Sequence, residues 1–202
     1  MRKLVVSMNI TLDGCLSGPG GELDWHFNSW TNEMGDALCS ELVKADTILL
    51  GRKTYAAMAN WWPSKLADPG CRGEDFAFAN MMHTYRKIVF SSTLHAAGWN
   101  NSALATGNML EQVDLLKKAP GKNMMVYGSA QLVDSLVASG RVDEFQLWLH
   151  PVVLGKGTPL FKTGVFPPEL SLQLKLMGVQ KFGNGVLRLD YKAINDKSQY
   201  RQ

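Results

Sequence analysis

Hydrophobic positions along the chain fall into two alternating rhythms, short unbroken apolar runs and longer stretches with helical spacing. Leu4-Val5-Val6-Ser7-Met8 reads as a buried strand, running through Thr11-Leu12-Asp13-Gly14 into the glycine-rich Ser17-Gly18-Pro19-Gly20-Gly21. That is a strand followed by a long loop. Met34, Ala37, Leu38, Leu42 and Ala45 recur at helical spacing over 31–45, which predicts a helix packed on a sheet. Thr47-Ile48-Leu49-Leu50 is a strand ended by Gly51, and 54–59 reads as helix. Residues 60–85, with Trp61-Trp62-Pro63 and Asp68-Pro69-Gly70, read as an irregular excursion holding one short helix at 76–82. Lys87-Ile88-Val89-Phe90 and Met124-Met125-Val126-Tyr127 are further strands, with a weaker one at 103–105. Asn108 with Glu111 opens a helix that ends near Lys118, and Leu132, Val133, Leu136 and Val137 mark another, stopped by Gly140.

The last third changes rhythm. Residues 145–153, 170–177 and 186–191 are strand-like, with a hairpin turn at Phe182-Gly183-Asn184-Gly185. Strand and helix alternation followed by strands alone predicts a three-layer α/β/α fold, its central sheet mainly parallel with an antiparallel C-terminal hairpin. The expected organisation is one domain over 1–193 and a polar tail over 194–202.

Composition narrows the class. Apolar residues make up 46% and charged residues 19% of the 202, with no low-complexity tract, which favours a globular protein. The net charge of +3 is spread without a basic run, so no nucleic-acid surface is expected. Cys15, Cys39 and Cys71 are odd in number and lack metal spacing, and the four histidines share none. Reduced thiols, no metal and a cytoplasmic location are the expectations. His150, in Trp148-Leu149-His150-Pro151, reads as structural. No apolar stretch reaches the ~20 residues of a membrane span.

Candidate chemistry gathers at strand ends. Gly51-Arg52-Lys53-Thr54-Tyr55 stands where a strand passes into a helix, so unpaired amide groups, helix polarity and two cations converge on one turn. The extra charges suit a dinucleotide with a 2′-phosphate, NADPH rather than NADH. Gly128-Ser129-Ala130-Gln131-Leu132 is a second turn of the same kind, and Ser91-Ser92 offers hydroxyls after another strand. Gly-x-Gly-x-x-Gly and P-loop signatures are absent from the sequence. Trp61 and Trp62 present either an aromatic wall for a planar ring or an anchor for the excursion.

Together, Thr11-Leu12-Asp13-Gly14, Gly51–Tyr55, Val126-Tyr127-Gly128-Ser129-Ala130 and Val142-Asp143-Glu144 running to His150-Pro151-Val152-Val153-Leu154-Gly155-Lys156-Gly157 resemble the dihydrofolate-reductase superfamily. Within it they resemble the branch holding the reductase domain of riboflavin-biosynthesis deaminase-reductases, over roughly residues 2 to 193. The resemblance implies NADPH held at Gly51, Arg52, Lys53, Thr54, Ser91, Ser92, Gly128, Ser129, Ala130, Gln131 and Leu132, with Asn9, Leu16 and Trp25 near the nicotinamide. It implies hydride transfer to a C=N or C=O carbon of a small heterocycle, and a homodimer, for which Phe145, Leu147, Leu149, Leu172, Leu174 and Leu176 offer apolar strand surface.

Departures from the family pattern are informative. Tyr127 stands where the riboflavin enzymes carry a substrate-binding glutamate, Ser129 replaces the second glycine of a Gly-Gly pair, and the acidic residue of the first helix has no clear counterpart. Asp36 falls on the solvent face, leaving Glu33 and Asp24 as proton-donor candidates beside water, and Trp62 and Tyr127 as substrate contacts. Three readings follow: a reductase of a pterin-like or ribosylaminopyrimidine-like compound, which includes 5-amino-6-(5-phosphoribosylamino)uracil reductase; a nucleotide-binding module without catalysis; and an FMN flavoprotein.

Overall fold

A computed structural model describes residues 1–71, 73–162, 164 and 171–194. Its chain forms two compact units, one of Met1–Arg2 with Thr31–Ser129, the other of Lys3–Trp30 with Ala130 onward.

The first unit carries four parallel strands, β3 (Ala45–Gly51), β4 (Arg86–Phe90), β5 (Ser102–Leu104) and β6 (Asn123–Tyr127), in the order β5-β4-β3-β6. Ile48, Leu49, Leu50, Ile88, Val89, Met124, Met125 and Val126 are all buried, as the unbroken apolar runs require of parallel strands covered on both faces. Helices α2 (Asn32–Leu42), α3 (Arg52–Ala67), α4 (Gly73–Thr84) and α5 (Met109–Lys118) belong to this unit. Thr31 caps α2 through Met34 N, and Asn108 Oδ1 caps α5 by accepting from Leu110 N and Glu111 N.

The irregular excursion expected over 60–85 is corrected by the structure. α3 continues through Trp61, Trp62 and Pro63 to Ala67, and α4 takes twelve residues. Pro63 removes one interior backbone bond, while alanines on its N-terminal side and Lys65, Leu66 and Ala67 after it keep helix propensity high. In α4 apolar residues occupy both faces, Phe76 exposed and Phe78, Ala79 and Met82 buried, so its period is blurred. Asp68-Pro69-Gly70 does lie between the helices, at the place its composition assigns to a turn.

Lys87, read as an ordinary strand residue, is fully buried. Its Nζ donates to the carbonyls of Met82, His83 and Tyr85 at 2.7–2.9 Å and lies 4.3 Å from the centre of the Trp99 ring. The lysine therefore closes the C-terminal end of α4, and burial lowers its pKa to about 8.

The second unit holds β1 (Leu4–Thr11), β7 (Glu144–His150), β10 (Leu187–Ile194) and β9 (Gln173–Lys181) in that order. β1 and β7 are parallel, and β10 pairs antiparallel with both β7 and β9. A two-residue strand, β8 (Thr158–Pro159), pairs with β2 (Cys15–Ser17), and the helices are α1 (Asp24–Phe27) and α6 (Ala130–Ala138). The expected parallel start and antiparallel C-terminal hairpin are both present, with Gly185 at φ 87 in the turn. Trp148 stacks on Phe182 at 5.5 Å, and Leu132, Val133, Leu136 and Val137 bury one stripe of α6. Phe145 and Leu147, expected to serve a dimer surface, are instead buried within this unit. Leu170 and the expected tail from Asn195 lie outside the described residues.

Candidate active site

The two glycine turns of the first unit are tied together by hydroxyls. Gly51 ends β3 and is the N-cap of α3. Its amide donates to Ser129 Oγ at 2.8 Å, and Ser129 Oγ donates to Thr54 Oγ1 at 2.9 Å. Gly128 and Ser129 both adopt left-handed backbone, φ 58 and φ 63. A Cβ on Gly128 would stand 2.9 Å from Thr54 Cγ2, so glycine is required there by space and by conformation. Ser129 meets the same backbone demand with a side chain, and its two hydrogen bonds offset that strain. The serine that departs from the family's Gly-Gly pair thus fastens the two turns.

This lock leaves the start of α3 open. No side chain caps the helix, and Arg52 and Lys53 are exposed, with no ion-pair partner among the described residues. First-turn amides, the helix dipole and two cations make a site for phosphate. Ser91 Oγ is engaged locally, accepting from Thr93 N and Leu94 N at 3.1 and 2.9 Å, while Ser92 is exposed. A groove of about 650 Å³ lined by Tyr55, Pro63, His83 and Trp99 contains none of the predicted cofactor residues.

The predicted substrate contacts form an aromatic group in the same unit. Phe78 lies 5.1 Å from the ring of Trp62 and 6.2 Å from that of Tyr127. Trp62 Nε1 and the Tyr127 hydroxyl are buried without hydrogen-bond partners among the described residues, and burial pushes the Tyr127 pKa up. Both are neutral donors. Trp61 is half exposed on α3.

In the second unit, the Thr-Leu-Asp-Gly segment has a structural task. Asp13 accepts from Thr11 Oγ1 at 2.6 Å and from Gly155 N at 2.7 Å, contacts that hold its carboxyl below the usual range. Leu154 N also donates to it, at 3.3 Å. The two segments that carry the resemblance at 11–14 and 150–157 are therefore partners in space. Asn9, Leu16 and Trp25 all belong to this unit, as do Ala130, Gln131 and Leu132 at the start of α6, where Leu132 is buried.

A polar cluster around His150 escapes sequence reading. His150 Nδ1 is 3.0 Å from Ser29 Oγ and its Nε2 is 2.9 Å from Asn9 Oδ1. Trp25 meets the His150 ring edge-on at 5.1 Å, and the His26 ring lies 6.0 Å from it. Burial lowers both histidines to about 4, the neighbouring imidazole adding to the effect on His26. Both are neutral at pH 7. The place of His150 before Pro151 marks it as structural, but nothing local reveals Asn9 and Ser29 as its partners.

Glu33, in the first turn of α2, and Asp24, opening α1, are both exposed and belong to different units. Asp36 is exposed, as its helical phase predicts.

The family model described as the RibD C-terminal domain matches residues 2–188; the chain belongs to this family. It is 36% identical over 190 residues to the uncharacterised protein YyaP of Bacillus subtilis (strain 168), covering 94% of each chain. Among solved structures, it resembles a putative riboflavin biosynthesis protein of Shewanella sp. PV-4 (TM-score 0.72, 18% identity, 96% of this chain and 100% of that one). It also resembles the Thermotoga maritima deaminase/5-amino-6-(5-phosphoribosylamino)uracil reductase (TM-score 0.65, 14% identity, 95% and 56%). A third likeness is to the dihydrofolate reductase of Enterococcus faecalis complexed with NADP(H) (TM-score 0.59, 14% identity, 96% and 97%). The fold is thus dihydrofolate-reductase-like, and the family supports an oxidoreductase of reductase type. Among the described residues, no helix is long and apolar enough to cross a membrane.

Proposed function

We propose that the chain is a cytoplasmic NADPH-dependent reductase of a small, planar heterocycle. The carrying observation is the Gly51–Ser129–Thr54 lock, which fixes two glycine turns while leaving the α3 amides, Arg52 and Lys53 free for phosphate groups. Arg52 and Lys53 would take the 2′-phosphate, and the Gly128 turn would admit the dinucleotide close to the backbone. When bound, NADPH supplies hydride for a C=N or C=O carbon. The chain's own residues orient the reactants and exclude water. Solvent, or the exposed carboxyls of Glu33 or Asp24, supplies the proton.

Trp62, Phe78 and Tyr127 favour an aromatic, neutral substrate over one bound through its cationic or donor groups. A phenol cannot replace the carboxylate of a glutamate toward substrate donors, and losing such a partner costs a large factor in specificity. The expected substrate is therefore a planar electrophilic ring other than 5-amino-6-(5-phosphoribosylamino)uracil. A panel containing that phosphate, dihydrofolate and neutral heterocycles, followed by loss of NADPH absorbance, tests this. Efficient turnover of the phosphate by the natural protein would return the chain to riboflavin synthesis.

A homodimer is part of the same proposal. Leu176, Met177 and Val179 on β9, at the end of the strand order, and Ile194 on β10 are at least half exposed, and an apolar strand edge of this kind calls for a cover. Light scattering at micromolar concentration checks it, and a monomer mass would reject it.

A further inference from the structure

The groove beside α3 is lined by Tyr55, Ala59, Pro63, His83, Trp99 and Asn100, all within the first unit. His83 stands in the last turn of α4, ahead of β4, and Asn100 stands ahead of β5. The groove therefore borders the N-terminal ends of these parallel strands, whereas Gly51, Ser91 and Gly128 lie at C-terminal strand ends, where α/β sheets take their cofactors. Trp62, Phe78 and Tyr127 are not among its lining residues.

The polarity of this groove is fixed at His83. Trp99 Nε1–H donates to His83 Nδ1 at 3.1 Å. An indole nitrogen can only donate, so Nδ1 is bare and the neutral imidazole carries its proton on Nε2. That Nε2 meets no acceptor among the described residues and stays open to solvent on a half-buried residue that lines the groove. Lys87 Nζ and Asn100 Nδ2 both donate to the His83 carbonyl, at 2.9 and 3.0 Å. Trp99 is anchored in turn, its backbone amide donating to Tyr55 Oη at 2.9 Å and Lys87 Nζ lying 4.3 Å from its ring centre. Pro63 adds an acceptor. Having no N–H, it leaves the carbonyl of Ala59, four positions earlier, without its normal helical donor. A fixed donor, a freed acceptor and the Trp99 and Tyr55 rings, 6.2 Å apart, thus line one groove of about 650 Å³.

We propose that this groove is a second ligand site, separate from the dinucleotide turns, for a small planar lactam whose carbonyl accepts from His83 Nε2–H and whose N–H donates to the Ala59 carbonyl. A lactam carries that acceptor and donor on adjacent positions of a flat ring, and the ring lies against Trp99. No Asp, Glu, Lys or Arg lines the groove, which favours a neutral occupant over an ion. His83 and Trp99 are already held, so binding orders little of the protein. The proposal does not rest on the reductase reading.

Long-range ¹H–¹⁵N correlation on the natural protein in neutral buffer reads the His83 tautomer, and protonation at Nε2 is expected. Protonation at Nδ1 would overturn the proposal. Quinolin-2(1H)-one is then titrated in and followed by the same spectra. Saturable binding in the millimolar range is expected for a probe of this size, with shifts at the His83 ring and the Trp99 indole N–H that persist when NADPH is added. 1-Methylquinolin-2-one, which keeps the carbonyl but lacks the N–H, should bind the natural protein roughly tenfold more weakly, the loss of one neutral hydrogen bond. His83→Phe, which keeps a flat ring but no donor, should weaken quinolin-2(1H)-one by a similar factor. His83→Gln, which can accept from Trp99 and still donate, should recover part of the loss. Should His83→Phe fail to fold, the tautomer and the pair of probes still decide the matter on the natural protein. Equal affinity for the two probes, or unchanged affinity in a folded His83→Phe, would overturn the proposal. So would displacement by NADPH, shifts confined to Trp62 and Tyr127, or no binding at millimolar probe.

Discussion

The turns of the first unit and the imidazole cluster of the second both fix functional groups, by opposite means. The Gly51–Thr54 and Gly128–Ser129 turns rely on backbone conformation and two hydroxyls, with exposed cations at the edge. The Ser29–His150–Asn9 chain relies on buried neutral imidazole chemistry. Open scaffolding edged by cations suits a ligand that brings its own negative charge. A buried network of neutral groups, in contrast, is held together at a cost that depends on pH.

Acid separates the two regions most strongly. His26 and His150 sit at about 4 in the folded protein and near 6.5 unfolded. Between those values the unfolded chain binds protons that the folded one does not, so stability is complete above pH 6.5 and is lost as pH falls toward 4. A gap of one pH unit between folded and unfolded values is worth about 1.4 kcal/mol, so roughly 3 kcal/mol or more should disappear across that window. Denaturant midpoints against pH would measure it, and amide exchange should show residues around His150 losing protection before those of the Gly51 turn. A flat midpoint from pH 7 to 4 would contradict it.

Gly128→Ala attacks the other region. A left-handed alanine pressed against Thr54 should cost about 2–3 kcal/mol and abolish measurable NADPH binding. Ser129→Ala is gentler, removing the partner of Gly51 N, with an expected loss of about 1 kcal/mol. A wild-type thermal midpoint for Ser129→Ala would show that the turns hold without their lock. Smallest of all is Tyr127→Phe. Its hydroxyl has no hydrogen-bond partner among the described residues, so stability should change by less than ~0.5 kcal/mol. A fall in kcat/KM without that stability loss would identify the hydroxyl as a substrate contact.

The difference between the regions also explains what the sequence could reveal. Strand-to-helix turns are contiguous, so Gly51-Arg52-Lys53-Thr54 and Gly128-Ser129 announce themselves through glycine and flanking periodicity. What Ser129 does could not be read, because its partners lie 75 and 78 positions away in the chain. The same holds for Asn9 and His150, 141 positions apart and joined only when β1 and β7 pair in parallel. Pro63 and Asp68-Pro69-Gly70 signal a break that arrives only after Ala67, since one missing backbone bond does not stop a helix otherwise rich in good formers. Lys87 is opaque for another reason: its three carbonyl acceptors belong to the backbone of 82–85, which any residue type could supply.

Calorimetric titration of the natural protein with NADPH and NADH, repeated on the Arg52→Ala, Lys53→Ala double variant, decides whether the Gly51 turn holds the 2′-phosphate of a dinucleotide. NADPH should bind the natural protein at least tenfold more tightly than NADH, and the double variant should lose that preference, as charge-assisted contacts to the 2′-phosphate disappear. Equal affinities for the two cofactors in the natural protein, or no binding of either, would contradict that assignment.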